Sequence, residues 1–162
     1  MMRAIFLDRD GIVNKEIGNY ILRFEEFEIL PNLIPFMKEA KKQGYIFIII
    51  TNQAGIAKGL YGPELVDRCH DFLAEKLAEH QLNFEEMYYC PHFPEYGECL
   101  CRKPKSLLVE KGLARFKLNP KNCIMIGDKQ RDVDAAMGAG IRGFLLPPNP
   151  SLEEMLNCLS YA

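Results

Sequence analysis

The chain has 162 residues, 48% of them hydrophobic, which is enough apolar material for a core and argues against a disordered chain. Its 20 Lys and Arg residues nearly balance its 22 Asp and Glu residues, and the net charge of −2 argues against a protein that coats nucleic acid. The longest apolar run, residues 45–50, is far shorter than the roughly 20 residues that span a bilayer. The N-terminus lacks the pattern of a signal peptide. We therefore expect a cytoplasmic protein without a membrane or nucleic-acid partner, and a monomer.

The first half of the chain alternates between predicted strands and helices. Residues 3–8 form an apolar run closed by an acid, which is typical of a buried strand. Apolar residues then recur at helical spacing until Gly44 ends the helix. Residues 45–51 are apolar up to the final threonine, as in strands that are buried on both faces of a parallel sheet. Pro63 and Glu64 open the next helix.

The second half continues this alternation, with strands predicted over residues 86–90, 123–127 and 142–146 and helices over residues 105–116, over 131–137 and from 152. Five strands separated by helices predict an α/β fold with a doubly wound, mostly parallel, Rossmann-like sheet. Neither a repeat nor a linker divides the chain. We therefore expect a single domain over residues 1–162.

Acidic and polar side chains follow three of the predicted strands. Asp8 and Asp10 follow the first strand, Thr51 ends the second, and Asp128 and Asp132 follow the fourth. In open parallel sheets, ligands bind outside the carboxyl ends of the strands. Helix capping explains any one of these residues but explains the whole set poorly. Clustered carboxylates repel one another unless a cation joins them, so the set predicts a magnesium site suited to a phosphate substrate.

These residues resemble the four motifs of the haloacid dehalogenase superfamily of phosphohydrolases over residues 3–146. The matching residues are Asp8-x-Asp10-Gly11, Thr51, Lys103 and Gly127-Asp128-x-x-x-Asp132. The resemblance implies that Asp8 is the nucleophile, which becomes an aspartyl phosphate, and that Asp10 is the general acid and base. Thr51 and Lys103 would hold the phosphoryl oxygens.

The resemblance also implies how the catalytic Mg²⁺ is bound. Its ligands would be the side chains of Asp8 and Asp128 and the backbone carbonyl of Asp10, with Asp132 supporting the site from outside the coordinating set. One position departs from the family pattern, because Ile12 stands where a threonine is usual. The stretch between Gly11 and residue 31 is too short for a separate cap domain, so an open site is expected.

A second resemblance concerns the loop over about residues 90–103. Cys90, His92, Cys99 and Cys101 resemble the zinc loop of the histidinol-phosphatase branch of the superfamily. Three thiolates and an imidazole suit a closed, tetrahedral and therefore structural zinc site, and zinc would fix the position of Lys103. The alternative is a group of free cysteines with a surface histidine.

The remaining cysteines and two histidines lie in apolar or helical stretches. Since cytoplasmic cysteines rarely form disulfides, Cys69, Cys123 and Cys158 are expected to be core residues. His70 and His80 are expected to be surface or capping residues and not ligands.

The branch offers two substrates. Asn14, Lys129 and the segment over residues 51–59 resemble phosphatases that remove the 7-phosphate of D-glycero-D-manno-heptose 1,7-bisphosphate in lipopolysaccharide synthesis. Residues 103–110 resemble histidinol-phosphate phosphatases instead. Arg102 and Lys129 are candidates for a distal phosphate or sugar hydroxyls. The substrate contacts implied in total are Glu16, Ile17, Gly18, Asn19, Asn52, Gln53, Ala54, Arg102 and Lys129.

A phospho-acceptor signalling domain is the non-enzymatic alternative. It shares a parallel sheet, an aspartyl phosphate and magnesium. Its acceptor lies at the end of the third strand, where this chain has Cys90.

Overall fold

The computed structural model describes residues 2–160, and the parts of our predictions that concern Met1 and residues 161–162 lie outside it. Its strands are β1 (Arg3–Leu7), β2 (Tyr45–Asn52), β3 (Glu86–Cys90), β4 (Cys123–Gly127) and β5 (Arg142–Leu145). They form one sheet in the order β3-β2-β1-β4-β5, and every neighbouring pair is parallel. The predicted parallel α/β sheet is confirmed. Because β1 is the central strand, the residues that follow it emerge between the ends of β2 and β4.

Four helices connect successive strands, namely α1 (Leu33–Lys42), α2 (Pro63–Ala78), α3 (Leu107–Arg115) and α4 (Gln130–Gly138), and α5 (Leu152–Ser160) follows β5. Their ends differ from the predicted ends by a residue or two, as is usual for helix termini. Short 3-10 helices lie at Phe24–Glu26, Pro94–Tyr96 and Pro120–Asn122. Among the described residues, no helix is long and apolar enough to cross a membrane.

The apolar core lies on both faces of the sheet. Ile5 and Leu7 of β1 pack with residues of α1, α2 and α5, whereas Phe6 packs with residues of α3 and α4 on the opposite face. This alternation within a fully buried strand is what a central parallel strand requires. Gly112 lets α3 approach the sheet, because a Cβ there would lie 2.7 Å from Cε1 of Phe6.

The loop after β1 is short and packs against the body of the protein. Gly11 turns the chain with a φ of +93°, and the backbone N–H of Gly11 donates to the carbonyl of Asn14 at 2.8 Å. Ile12 is fully buried, so the departure from the family pattern exchanges a polar contact for an apolar one. Consistent with the prediction, the described residues contain no cap domain over the carboxyl ends of the strands.

Two of the smaller predictions have different outcomes. Cys69, Cys123 and Cys158 are buried, as predicted. The surface position predicted for His70 is wrong, because this residue of α2 is only 8% exposed and meets the ring of Tyr89 edge-on. Burial lowers the pKa of His70 to about 4, and within residues 2–160 its Nε2 has no hydrogen-bond partner. The folded protein therefore keeps this imidazole neutral.

We predict that His70 makes the fold sensitive to acid. The unfolded chain binds a proton at His70 near pH 6.5 and the folded chain only near pH 4. The free energy of unfolding should therefore fall, by up to about 3 kcal/mol, as the pH drops through this window. Urea unfolding at a series of pH values measures it. His70→Gln should flatten the pH dependence, whereas His80→Gln at an exposed site should not. Equal slopes for wild type and His70→Gln would contradict the prediction.

Candidate active site

A buried lysine lies at the centre of the candidate site. Lys103 is 1% exposed, and its Nζ lies 2.7 Å from Oδ1 of Asp8 and 2.7 Å from Oδ1 of Asp132. The ammonium also donates to the carbonyl of Ile50 at 2.6 Å. Burial works to lower the pKa of Lys103, but the two carboxylates outweigh it and raise the pKa above its ordinary value. The lysine is therefore charged, and it joins the ends of β1 and β2 to the start of α4.

Three carboxylates form a pocket suited to a divalent cation. One oxygen from each of Asp8, Asp128 and Asp132 lies within 4.8 Å of the others, and all three residues are buried. Burial raises the pKa of Asp8 to about 7, with a further contribution from Asp132, although Lys103 opposes the shift. Lys129 contacts Asp128 at 2.9 Å. Burial makes the negative charge of Asp8 unfavourable, and a divalent cation would offset it. Because the surrounding ligands are hard carboxylate oxygens, the pocket fits Mg²⁺.

Asp10 lies beside this pocket and is held by four donor contacts. Arg9 Nη2 donates to both carboxylate oxygens, at 3.0 and 3.2 Å. Asn14 Nδ2 donates to Oδ1 at 3.0 Å, and Gln53 Nε2 donates to Oδ2 at 2.9 Å. Burial would raise the pKa of Asp10, but the Arg9 charge and these hydrogen bonds hold it below its ordinary value. The side chain is still 30% exposed, so it can reach a ligand.

Thr51 has its hydroxyl available for a ligand. The residue is 1% exposed, and its Oγ1 accepts a hydrogen bond from Nε2 of Gln53 at 2.9 Å. Among residues 2–160, no hydrogen bond donated by this hydroxyl is found, so its O–H can donate toward a phosphoryl oxygen.

Asn52 has both ends of its amide on the backbone of Lys103. Its Nδ2 donates to the Lys103 carbonyl at 3.1 Å, and its Oδ1 accepts from the Lys103 N–H at 3.1 Å. The sequence predicts a substrate contact for Asn52, whereas these two hydrogen bonds hold the loop that carries the lysine.

The sulfur and nitrogen atoms of the predicted zinc loop converge next to Lys103. Cys90 Sγ lies 3.7 Å from Cys99 Sγ, 3.1 Å from Cys101 Sγ and 3.5 Å from His92 Nδ1. His92 Nδ1 lies 3.3 Å from Cys101 Sγ, and the four ligand atoms all lie within 4.8 Å of one another. Tetrahedral zinc with Zn–S bonds of about 2.3 Å separates its sulfur ligands by about 3.8 Å. The donor set suits zinc, and the Cys90–Cys99 distance matches this separation, whereas Cys90 and Cys101 lie closer together than two zinc ligands would.

An open cleft of about 320 Å³ lies beside Asp10. The predicted substrate contacts that line it are Glu16, Gly18, Asn19, Asn52 and Gln53. Four others lie outside its lining. Ile17 is exposed and Ala54 is buried, while Lys129 contacts Asp128. Arg102 donates to the carbonyl of His92 at 3.3 Å and lines a second cleft with Lys103.

The cleft also contains residues that the sequence did not single out, namely Arg9, Tyr20, Ile21, Tyr61 and Arg131. Arg9 lies between the two aspartates of the first motif, and this position was the only signal that could have marked it. Asn149 is a further addition. Its amide holds the backbone of Glu16, with Glu16 N–H to Asn149 Oδ1 at 2.7 Å. Nothing in the sequence pairs Asn149 with Glu16.

The geometry and the family comparison agree. Residues 2–140 match the haloacid dehalogenase-like hydrolases. The chain belongs to this family. The predicted family membership is thereby confirmed, and the chain is a hydrolase.

Named relatives are similar over most of the chain. A D-glycero-beta-D-manno-heptose-1,7-bisphosphate 7-phosphatase of Haemophilus influenzae is 37% identical and matches 88% of this chain and 79% of its own. A D-glycero-alpha-D-manno-heptose-1,7-bisphosphate 7-phosphatase of Photorhabdus laumondii is 36% identical, over 98% and 90% of the two chains. The crystal structure of the D,D-heptose 1,7-bisphosphate phosphatase from B. bronchiseptica, in complex with magnesium and phosphate, has a TM-score of 0.86 and 27% identity. It covers 99% of this chain and 100% of its own.

We predict that Asn52→Ala slows hydrolysis without weakening substrate binding. The variant frees the Lys103 backbone, so kcat should fall about tenfold, which corresponds to the loss of one or two hydrogen bonds, while KM changes less than about twofold. Steady-state kinetics on a phosphate ester measure both constants. Asn83→Ala, on the exposed loop before β3, is the control. A large rise in KM with kcat unchanged would instead make Asn52 a substrate contact.

Proposed function

We propose that this chain is a magnesium-dependent phosphatase that removes the 7-phosphate of D-glycero-D-manno-heptose 1,7-bisphosphate. The observation that carries the chemistry is the buried Asp8, paired with Lys103 and flanked by Asp128 and Asp132, beside the exposed edge of Asp10. The names of the relatives support the heptose bisphosphate over histidinol phosphate. They include both anomers of the sugar, so the anomer is left open. The product would enter the synthesis of lipopolysaccharide core heptose.

In the first proposed step, a carboxylate oxygen of Asp8 forms a bond to phosphorus and the bond from phosphorus to the sugar oxygen breaks. Asp10 gives its proton to that oxygen, so the sugar leaves as a neutral alcohol. Thr51 donates to a phosphoryl oxygen through its free O–H, and the ammonium of Lys103 offsets the charge of the phosphoryl group.

In the second step, water attacks the aspartyl phosphate. Asp10 takes a proton from the water, the water oxygen bonds to phosphorus, and the bond to Asp8 breaks to release inorganic phosphate. The donors on both oxygens of Asp10 support the assignment of the base, because they favour the ionised carboxylate and hold it in one orientation.

The carboxylate pocket would hold Mg²⁺ through the side chains of Asp8 and Asp128 and the backbone carbonyl of Asp10, with Asp132 supporting the site by fixing Lys103. When bound, the ion would offset the negative charge of the phosphoryl oxygens. A phospho-acceptor signalling domain does not need a general acid and base such as Asp10. The fixed orientation of Asp10 therefore favours an enzyme.

Around this centre, the cleft would bind the sugar. Of the five predicted contacts that line it, we assign Glu16, Gly18, Asn19 and Gln53 to this surface, and we assign Asn52 to the Lys103 backbone that its amide holds. Ile17 and Ala54 belong to the same two loops. Arg102 and Lys129 remain our candidates for the distal phosphate. Arg102 directly precedes Lys103, and Lys129 directly follows Asp128. We further propose one domain, a cytoplasmic location and a monomeric state.

The Cys/His cluster would hold a structural zinc ion through Cys90, His92, Cys99 and Cys101. Its proximity to Lys103 supports this role, because the loop between the cluster and the lysine is only one residue long. Zinc would therefore fix the position of the lysine in the chain without taking part in the reaction.

We predict that the wild-type protein prefers the heptose bisphosphate to histidinol phosphate by roughly a hundredfold in kcat/KM, or about 2.7 kcal/mol of transition-state stabilisation. Phosphate release with magnesium, measured on both substrates, tests it. Asp8→Asn is the blank, since it lacks the nucleophile. The reverse preference would favour histidinol phosphate, and a single stoichiometric phosphorylation without turnover would favour a signalling domain.

We predict that the purified protein contains about one zinc ion and that Cys99→Ser lowers the zinc content and the thermal stability together. Hydrolysis should fall in the same variant, because the loop that carries Lys103 loses one of its two anchors. Metal analysis, thermal unfolding and kinetics measure the three effects. Cys123→Ser, at a buried cysteine outside the loop, should keep its zinc. Loss of hydrolysis in Cys99→Ser with the zinc, the fold and the loop intact would argue for a catalytic role.

A further inference from the structure

A chain of hydrogen bonds connects Tyr61, a residue outside every motif, to Asp10. The Tyr61 hydroxyl donates to Oε1 of Gln53 at 2.7 Å. Nε2 of the same amide donates to Oδ2 of Asp10 and to Oγ1 of Thr51, at 2.9 Å each. A carboxylate can only accept, so the nitrogen of the Gln53 amide faces Asp10 and the oxygen faces the phenol. Tyr61 thus pairs with the amide oxygen of Gln53, whereas Asp10 and Thr51 pair with its nitrogen.

Burial makes this contact consequential. Gln53 is 3% exposed, so an unpaired amide oxygen would have no water to replace the phenol. Burial also raises the pKa of Tyr61 to about 12, so its hydroxyl keeps the proton that it donates. Without that donor, the amide oxygen in its present position is unpaired, so the amide of Gln53 gains by turning this oxygen toward the open cleft, where it can meet water. Turning would remove the donor from both Asp10 and Thr51.

Gly55 makes room for the phenol ring. A Cβ at this buried glycine would lie 2.1 Å from Cε1 of Tyr61, well inside any allowed contact. The ring therefore occupies the space that a side chain at residue 55 would fill. The absence of a side chain at Gly55 is a condition for the contact between Tyr61 and Gln53.

We propose that Tyr61 is a positioning residue, which fixes the amide of Gln53 so that Asp10 is held for proton transfer. The inference rests on the proposed phosphatase function. It adds to that function a residue that acts through another, since Tyr61 itself contacts neither the nucleophile nor the acid. Loss of Tyr61 should have its clearest effect on the hydrolysis of the aspartyl phosphate. This step needs Asp10 as the base whichever leaving group has departed.

The test is Tyr61→Phe, which removes the hydroxyl and keeps the ring. In rapid mixing with p-nitrophenyl phosphate and magnesium, we expect a burst of about one p-nitrophenolate per active site, followed by turnover about tenfold slower than in wild type. The burst rate should stay within about twofold of the wild-type first turnover, because p-nitrophenolate leaves without a proton. On the heptose bisphosphate, whose alcohol needs a proton, the first turnover should slow as well.

Three further variants separate positioning from a general loss of structure. Gly55→Ala keeps the Tyr61 hydroxyl but displaces the ring, and it should reproduce the slow second step. In a Gln53→Ala background, Tyr61→Phe should cause no further loss, since the mediator is gone. Tyr88→Phe is the matched control and should behave as wild type, because the buried Tyr88 hydroxyl has no hydrogen-bond partner among residues 2–160.

Several outcomes would overturn the proposal. If the wild type is active, two results for Tyr61→Phe would overturn this inference alone. The variant could turn over at the full wild-type rate, or its burst and its steady state could be slowed equally. Additive losses in the Gln53→Ala background would also do so, because Tyr61 would then act independently of Gln53. A wild-type protein that releases no phosphate from either substrate would overturn the proposed function and this inference with it.

Discussion

The charged contact between Lys103 and the carboxylates of Asp8 and Asp132 is the interaction on which the rest of the site depends. Placing an ammonium ion where it is 1% exposed costs several kcal/mol, and only close, opposite charges and hydrogen bonds offset that cost. Here two carboxylates and the Ile50 carbonyl surround it at 2.6 to 2.7 Å. Removing either carboxylate would leave the buried ammonium with only one opposite charge beside it, so the lysine must be positioned accurately. Yet it comes from a loop and not from a helix or strand.

Two features compensate for that irregular origin. Asn52, the last residue of β2, holds the Lys103 peptide by two hydrogen bonds, and the Cys/His cluster ends at Cys101, two residues before it. One anchor therefore connects the loop to the end of β2, and the other connects it to the end of β3 through Cys90. The sheet order brings the other site residues together, because β2, β1 and β4 are neighbours and parallel strands lie about 4.8 Å apart. Thr51, Asp8 and Asp128 consequently come together at one edge without long connecting segments.

The sequence was most informative where one residue type has one physical use. The apolar run over residues 45–50 indicated a doubly buried strand, and the acids at the ends of separate strands indicated a common site at one edge of a parallel sheet. It was uninformative where a contact depends on side-chain direction. Asn52 resembles a ligand contact by position, but its amide faces the Lys103 backbone. His70 sits in a polar stretch of α2, but it lies on the helix face that packs against β3 through Tyr89.

No pattern in the sequence predicts contacts between distant segments. One of these contacts, between Asn149 and Glu16, holds a wall of the cleft. No cap covers the site in the described residues, so the short loop that contains Glu16 must supply much of the surface that a substrate meets. That loop has little apolar anchorage. Asn149, which has a φ of +58°, holds it instead, with its side chain on the Glu16 backbone and its own N–H on the Gly11 carbonyl at 2.8 Å. Because Gly11 immediately follows Asp10, the segment after β5 fixes the substrate loop and the catalytic turn in one framework. Under the proposed function, the selectivity of this open site would then depend on a residue 133 positions away from the loop that it holds.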